Sequence, residues 1–324
     1  MLEFQMEILK FIQSLRTPFL DEFFGLVTRL GEEIAFMAVG MIVFWCVDKF
    51  SGYYVLCGGF FGTILNQFLK ITFRIPRPWV LDPTFEIVES AREAATGYSF
   101  PSGHTQSGVG LFGSLAKIAN KKWAKILFVV PCVLVPISRM YLGVHTPLDV
   151  GVSLVTALVI VFGFFPLFKR AQKDSKTMYV ILGALSVITA AYLIFVCAYK
   201  FPAEVYLSEN VENLHSAQKN AFTLFGCLLG LLTVYFLDTK FVKFETKAVW
   251  WVQIIKVVVG IGLVLAVKEL TRAPLEAIIP HVLTARLVRY YLMVVVGGIL
   301  WPMTFKYFSK LGKIKEEQKN EIQC

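Results

Sequence analysis

The strongest constraint on this chain is a repeated one: apolar runs about as long as a bilayer is thick. A helix rises 1.5 Å per residue, so roughly 20 apolar residues cross the ~30 Å hydrocarbon core. Runs of that order occur at 31–47, 51–73, 102–119, 123–141, 147–168, 178–198, 219–237, 248–268 and 282–305, the first and third being the shortest. Hydrophobic residues make up 56% of the chain and mean hydropathy is +0.64, more than the core of a soluble domain requires. The expectation is an all-α integral membrane protein with about nine transmembrane helices. Ahead of them, MEILKFIQSLRTPFLDEFFGLVT (6–28) sets charges among apolar residues at helical spacing, which makes 1–30 an amphipathic interfacial segment. Its acids, Glu3, Glu7, Asp21 and Glu22, do not suit a cleavable signal peptide, and none is expected.

Nine spans put the two chain ends on opposite sides, so nearly every charge can be assigned to one side. The N-terminal side, with loops 74–101, 142–146, 199–218 and 269–281, carries fourteen Lys/Arg and sixteen Asp/Glu, a net −2. The other side, which includes the basic tail 306–324, carries seventeen against seven, a net +10; Lys256 inside a span completes the overall +9. Cytoplasmic loops collect Lys and Arg, so the basic side reads as cytosolic. Charge of this kind speaks to membrane orientation, and no nucleic-acid partner is expected. Five of the six cysteines lie in apolar runs without C-x-x-C spacing, and Cys324 is the last residue. Neither a disulfide frame, a metal site nor a prenylation box is expected.

Three polar segments break the apolar pattern. KITFRIPRP (70–78) closes the second run, PSGH (101–104) opens the third, and SRMYLGVHTPLD (138–149) joins the fourth to the fifth. Followed through the spans, all three emerge on the N-terminal side, where Lys70, Arg77, Ser102, Gly103, His104, Arg139, His145 and Asp149 can share one pocket. Each has a plain reading when taken alone. Lys70 snorkels at a helix end, Ser102 is an N-cap, and Asp149 is the acid of a capping box begun by Thr146. His215 and His281, with no motif around them, keep the reading of interfacial polar residues.

Together the residues say more. Three cations, a hydroxyl and the free N–H groups of a helix start make an anion site. Arginine's fork matches phosphate oxygens in pairs, and Gly103 lets the backbone approach an oxyanion. Binding alone needs only cations, whereas phosphoryl transfer needs a nucleophile and a proton donor for the departing oxygen. Asp149, four residues after His145, is placed to accept from one ring nitrogen and leave the other with its lone pair. His104 would then face the leaving group.

The pattern Lys70-x6-Arg77-Pro78, Pro101-Ser102-Gly103-His104, Ser138-Arg139-x5-His145-x3-Asp149 resembles the three-part signature of the type 2 phosphatidic acid phosphatase/haloperoxidase superfamily. The resemblance covers about residues 20–168. It implies a phosphatase helical-bundle core over 31–168, with no metal or other cofactor. It also implies that His145 forms a phosphohistidine, Asp149 orients it and His104 is the general acid. Lys70, Arg77, Arg139, Ser102 and Gly103 would hold the phosphoryl oxygens, and Ser138 would be structural first. A nine-helix order with an outside N-terminus also resembles the glucose-6-phosphatases of that superfamily.

Beyond 168 the resemblance ends. Helices over 169–305 form a C-terminal helical extension that would line lateral access for lipid, provide a homo-oligomer surface or carry another activity. Lesser features are Arg74, Arg286 and Arg289, Lys256 two turns into its helix, and FEIVESAREAA (85–95), read as a short amphipathic helix over the pocket or a plain connector. The resulting expectation is a metal-independent lipid phosphate or pyrophosphate phosphatase in the cell membrane, its site extracytoplasmic and its partners the bilayer and the lipid substrate. A soluble phosphomonoester such as glucose 6-phosphate is the alternative substrate. A transporter retaining the anion pocket is the alternative class, though it would not need the histidine pair.

Overall fold

The computed structural model describes residues 2–200 and 208–308, and among these no strand occurs. In chain order the helices are α1 (Leu2–Ser14), α2 (Pro18–Arg29), α3 (Glu33–Ile42), α4 (Lys49–Phe73), the short α5 (Pro78–Leu81), α6 (Gly103–Ile118), α7 (Lys122–Tyr141) and α8 (Pro147–Ala171). They continue with α9 (Ser175–Ala198), α10 (Ser208–Leu237), α11 (Trp250–Leu270), α12 (Arg272–Ile278) and α13 (Val282–Val295). Wider π-turns extend α3, α10 and α13 over Val43–Val47, Asp238–Val242 and Val296–Leu300.

All nine apolar runs are therefore helical over most of their length. Seven helical segments, those containing α4, α7, α8, α9, α10, α11 and α13, are long and apolar enough to cross a membrane. An eighth follows if α2 and the helix over 33–47, bent by 50°, count as one span. Helix α6, at 16 residues, is shorter than these. The protein is thus an all-α membrane protein of seven or eight candidate spans among the described residues, and the expected count of nine depends on α6 and α3. The basic tail lies outside the described residues from 309 onward, as does 201–207 of the loop 199–218.

The chain divides into two compact units. The first comprises Met1–Met37, Tyr54–Leu167 and Ile194–Gln218, the second Ala38–Tyr53, Phe168–Leu193 and Lys219–Cys324. Residues 194–218, which follow the run of motifs by some fifty positions, cluster with the first unit.

In the first unit α6 and α7 form an antiparallel hairpin through the turn 119–121, and α2 packs on α7. Glycine permits the closest approach: a Cβ on Gly31 would lie 2.6 Å from the carbonyl oxygen of His104. The lipid face is plain on α7, which exposes Trp123, Ile126, Leu127, Val130 and Val133 but buries Val135, Ser138 and Arg139 at its C-terminal end. Such a stripe is unfavourable in water and natural in hydrocarbon.

In the second unit two tryptophans fasten helices by their indole N–H groups. Trp45 donates to the carbonyl of Gly297 at 2.8 Å and Trp301 to that of Lys256 at 3.0 Å. Lys49 and Asp238 form an ion pair at 2.6 Å.

The stretch 85–95 is not the amphipathic helix that its sequence allows. It holds one 3₁₀ turn, Glu89–Ala91, with Phe85, Ala91 and Ala95 buried. The N–H of Val88 donates to the carbonyl of Leu142 at 3.1 Å, and Ala91 and Ala95 pack with Tyr141, Leu142 and Val144. Docking onto the third motif outweighs local helix propensity.

Candidate active site

Four helix ends of the first unit meet around one histidine. Helix α4 supplies Lys70 in its last turn and then stops. Arg74 closes it with a left-handed backbone (φ +51°), its N–H bonded to the Lys70 carbonyl at 2.9 Å, and Ile75 precedes a proline that bars continuation. Lys70 is buried, and its ammonium donates to the carbonyl of Tyr98.

Arg77 is the residue before α5, whose first position is Pro78. Its guanidinium is anchored on backbone carbonyls: Nε to Gly97 at 2.9 Å, one terminal nitrogen to Thr96 at 2.6 Å and the other to Val144 at 2.9 Å. The nitrogen that reaches Val144 also lies 2.9 Å from Nε2 of His145. Arginine has no acceptor, so Nε2 must be the acceptor and the ring proton sits on Nδ1.

The second motif opens α6. Ser102 is its N-cap and accepts from the N–H of Thr105 at 3.4 Å. Gly103 and His104 follow in the first turn. A Cβ on Gly103 would stand 3.7 Å from Oδ1 of Asn66, and the Asn66 amide donates to the carbonyl of Pro101 at 3.3 Å. His104 is half-buried, and its Nε2 is shielded with no hydrogen-bond partner.

The third motif spans the end of α7 and the start of α8. Arg139 has no exposed surface. One terminal nitrogen donates to Oγ1 of Thr28 at 2.7 Å, while Nε and the other terminal nitrogen have no partner. Ser138 turns back to the carbonyl of Val135 at 2.7 Å, a bond internal to its helix. Gly143 takes φ +80°, a conformation costly for other residues, and a Cβ there would lie 2.6 Å from the Arg16 guanidinium.

Asp149 does two jobs at once. With Thr146 it forms a reciprocal cap: its carboxylate accepts from the Thr146 N–H at 2.8 Å, and its own N–H donates to the Thr146 hydroxyl at 3.3 Å. The same carboxylate oxygen lies 3.5 Å from Nδ1 of His145 and accepts from the hydroxyl of Ser99. At 3.5 Å the imidazole contact is electrostatic rather than a formed hydrogen bond, in keeping with the unpartnered Nδ1.

His145 itself lies in the loop between α7 and α8 and is 1% exposed. Burial first, and then the charges of Arg77, Arg139 and Lys70, hold its imidazole well below the ordinary histidine value. It is therefore neutral near pH 7 and keeps an Nε2 lone pair.

All eight residues singled out in the sequence lie in this one unit, on the ends of α4, α6, α7 and α8 and the loops between. Ser99, Thr28, Asn66 and the carbonyls of 96–98 were not singled out. Ser99 lies just before the second polar segment, two residues ahead of Pro101, but nothing local signals its bond to a carboxylate fifty residues on. Among the described residues no group of three or more His, Cys, Asp or Glu is placed to hold a metal ion.

The fold and site define a class: helical membrane proteins in which a buried, neutral histidine lies among buried lysine and arginine side chains. The chain belongs to the PAP2 superfamily, whose profile matches residues 51–173. A second profile, the transmembrane extension of PAP2 superfamily phosphatases, matches 222–313. Phosphatidylglycerophosphatase B of Bacillus subtilis is 31% identical over 177 residues, covering 49% of this chain and 82% of that protein. A probable sphingosine-1-phosphate phosphatase of Dictyostelium discoideum is 34% identical over 170 residues, with 48% and 40% covered. The undecaprenyl-diphosphatase BcrC of Bacillus subtilis is 34% identical over 110 residues, with 33% and 52% covered. The match thus spans about half or less of the length of these last two relatives.

Proposed function

We propose that this protein is a lipid phosphate or lipid pyrophosphate phosphatase that works through a phosphohistidine, without a metal, at the extracytoplasmic membrane surface. One observation carries the reading. A neutral, buried histidine offers an Nε2 acceptor among Lys70, Arg77 and Arg139, with a carboxylate behind its other nitrogen. Supporting it are the similar proteins, all named as phosphatases of lipid phosphates or diphosphates.

The substrate's phosphoryl group takes the unpartnered nitrogens of Arg139 and draws Arg77 from Nε2. The Nε2 lone pair then attacks phosphorus, forming the N–P bond as the P–O bond to the lipid breaks. His104 takes a proton from solvent as substrate binds, its cation stabilised by the adjoining phosphoryl charge, and gives that proton to the departing oxygen. Asp149 stabilises the positive ring of His145 as Nδ1–H turns toward it. Next, water gives a proton to neutral His104 and attacks the phosphohistidine. Phosphate leaves, and His145 regains its lone pair.

Placement of the motifs at helix ends favours lipid. A headgroup can reach His145 while its chains keep the ~0.8 kcal/mol per CH₂ gained in the bilayer. Purified protein in mixed micelles should release phosphate from at least one lipid phosphate with kcat/KM well above that for glucose 6-phosphate, and chelators should not slow it. Equal or better use of glucose 6-phosphate would replace the lipid reading with the sugar phosphate one. Dependence on added Mg²⁺ would end the metal-free scheme.

The charge split of −2 against +10 supports the orientation. A cysteine placed in 79–100 of a Cys-free variant should react with an impermeant thiol reagent in intact cells, while one in 306–319 should not. The reverse pattern would put the site in the cytosol.

A further inference from the structure

We propose that Arg286 and Arg289 of α13 hold the phosphate of an anionic membrane phospholipid, bound as a fixed lipid rather than as a substrate. Such a site stands whether or not the chain hydrolyses phosphate. All its residues lie in the second unit. The two arginines are one turn apart, four and seven residues into α13, or about 6 and 10 Å along its axis. Both guanidinium groups stand over the ring of Tyr290, at 5.1 and 5.7 Å from its centre.

Neither arginine has an anion to itself. Arg289 is 8% exposed, yet its guanidinium makes no hydrogen bond among the described residues, and its Nε is sealed off. A snorkelling arginine keeps its head in water, which fits exposed Arg272 but not Arg289. Arg286 is half-buried and spends only Nε, which donates to the Thr223 hydroxyl of α10 at 2.7 Å. Among the described residues the carboxylate within ion-pair reach is Glu276 of α12. It lies 3.9 Å from a terminal nitrogen of Arg289 and nearer, at 3.5 Å, to Nε of Arg272. Three arginines against one glutamate leave a net +2, and the neighbouring Lys268 and Glu269 pair with each other at 3.5 Å. The ring of Tyr290 offsets only part of that charge. A single unmatched Nε is tolerable, but two uncompensated charges at the head of a candidate span call for a counter-ion.

The surroundings say which anion. Arginine forks match phosphate oxygens in pairs, and one to two turns into a span is where headgroups give way to acyl chains. The elements carrying the cluster also expose apolar side chains: Leu270 by 75%, Ile278 by 77% and Val282 by 59%. Acyl chains would cover that surface, and free phosphate would leave it bare. Phosphatidylglycerol fits these terms. It has no cationic group to oppose the net +2, and as a diester it is not consumed by hydrolysis of phosphomonoesters.

The test uses delipidated full-length protein in neutral detergent micelles, with phosphatidylglycerol, phosphatidylcholine or inorganic phosphate added. It reads Tm and the lipid retained in native mass spectrometry. Phosphatidylglycerol should raise Tm by about 2–4 °C and leave one lipid bound, and the other two should do neither. Arg286→Gln, at a half-buried position, should weaken that binding about tenfold, and adding Arg289→Gln should abolish it. Equal stabilisation by inorganic phosphate would make this a free-phosphate site, and equal stabilisation by phosphatidylcholine an unselective lipid surface; either overturns the proposal. So does a Tm that phosphatidylglycerol leaves unmoved, or a shift that Arg286→Gln leaves intact. Should the double variant fail to fold, Arg286→Gln alone decides.

Discussion

The two units differ in where their unmatched buried polar atoms gather. In the second, Lys256 and Asp238 have partners within the chain, and Arg289, though its Nε is unmatched, lies 3.9 Å from Glu276 through a terminal nitrogen. Lys256 is 1% exposed, yet its ammonium donates to the Thr246 carbonyl at 2.9 Å and stands 4.4 Å from the ring centre of Phe305. Asp238 pairs with Lys49 and accepts from the N–H of Phe244 at 3.1 Å. In the first unit, Arg139, His104 and His145 each keep a buried nitrogen with no partner, and all three belong to the motifs. A buried donor left unmatched costs on the order of 1–3 kcal/mol. One such atom is tolerable anywhere, but several at the ends of neighbouring helices mark a place where the missing acceptor is a ligand.

Two substitutions sharpen the contrast. Arg139→Ala removes the donors assigned to the phosphoryl group in the proposed mechanism and should slow phosphate release by about 10²–10³-fold, the scale seen when a positioned donor to developing charge is lost. Arg139→Lys should recover little, because an ammonium lacks the planar fork. A variant with folded, micelle-stable protein and near-normal turnover would show that Arg139 is structural, like Lys256. Lys256→Met should do the reverse. It removes a buried charge, and the Thr246 carbonyl keeps a donor in the Gln253 amide at 2.9 Å. Stability should change by less than about 1 kcal/mol, read from thermal unfolding in detergent, with turnover unaltered. A severe loss of activity there would tie the second unit to the chemistry and undo the comparison.

Several features of the site were legible because they are local. The Thr146–Asp149 cap is an i,i+3 pattern, Ser102 before a helix is another, and proline at 76 and 78 ends α4 and starts α5. Others join residues far apart in sequence. Thr28 meets Arg139 across 111 positions and Ser99 meets Asp149 across 50. Tyr98, whose carbonyl holds Lys70, donates its hydroxyl to Asn210 of α10, so a helix beyond the motifs braces the loop behind Lys70 and Arg77. A serine two residues before a motif looks the same in sequence whether it holds a carboxylate or faces solvent.

The stretch 85–95 shows the same limit from the other side. Its residues are good helix formers, and an isolated peptide would be judged by that. In the protein Phe85, Ala91 and Ala95 are drawn against the third motif, and burial decides the conformation.

What the sequence determined by itself follows from periodicity and chemistry along the chain. Long apolar runs must be helices in a bilayer, because every backbone N–H and C=O there needs an internal partner. The three motifs carry the signature of the PAP2 superfamily by residue type and spacing. Only the tertiary structure decided which donors stay unmatched and which acids gather beside them. Beside Arg139 lies a cavity of about 860 Å³, whose acidic wall draws Asp21, Glu22 and Glu32 from the N-terminal segment and Glu93 from the loop before α6. No periodicity links those stretches; packing of α2 against α7 brings them to one cavity, and the field there is a sum over space rather than over sequence.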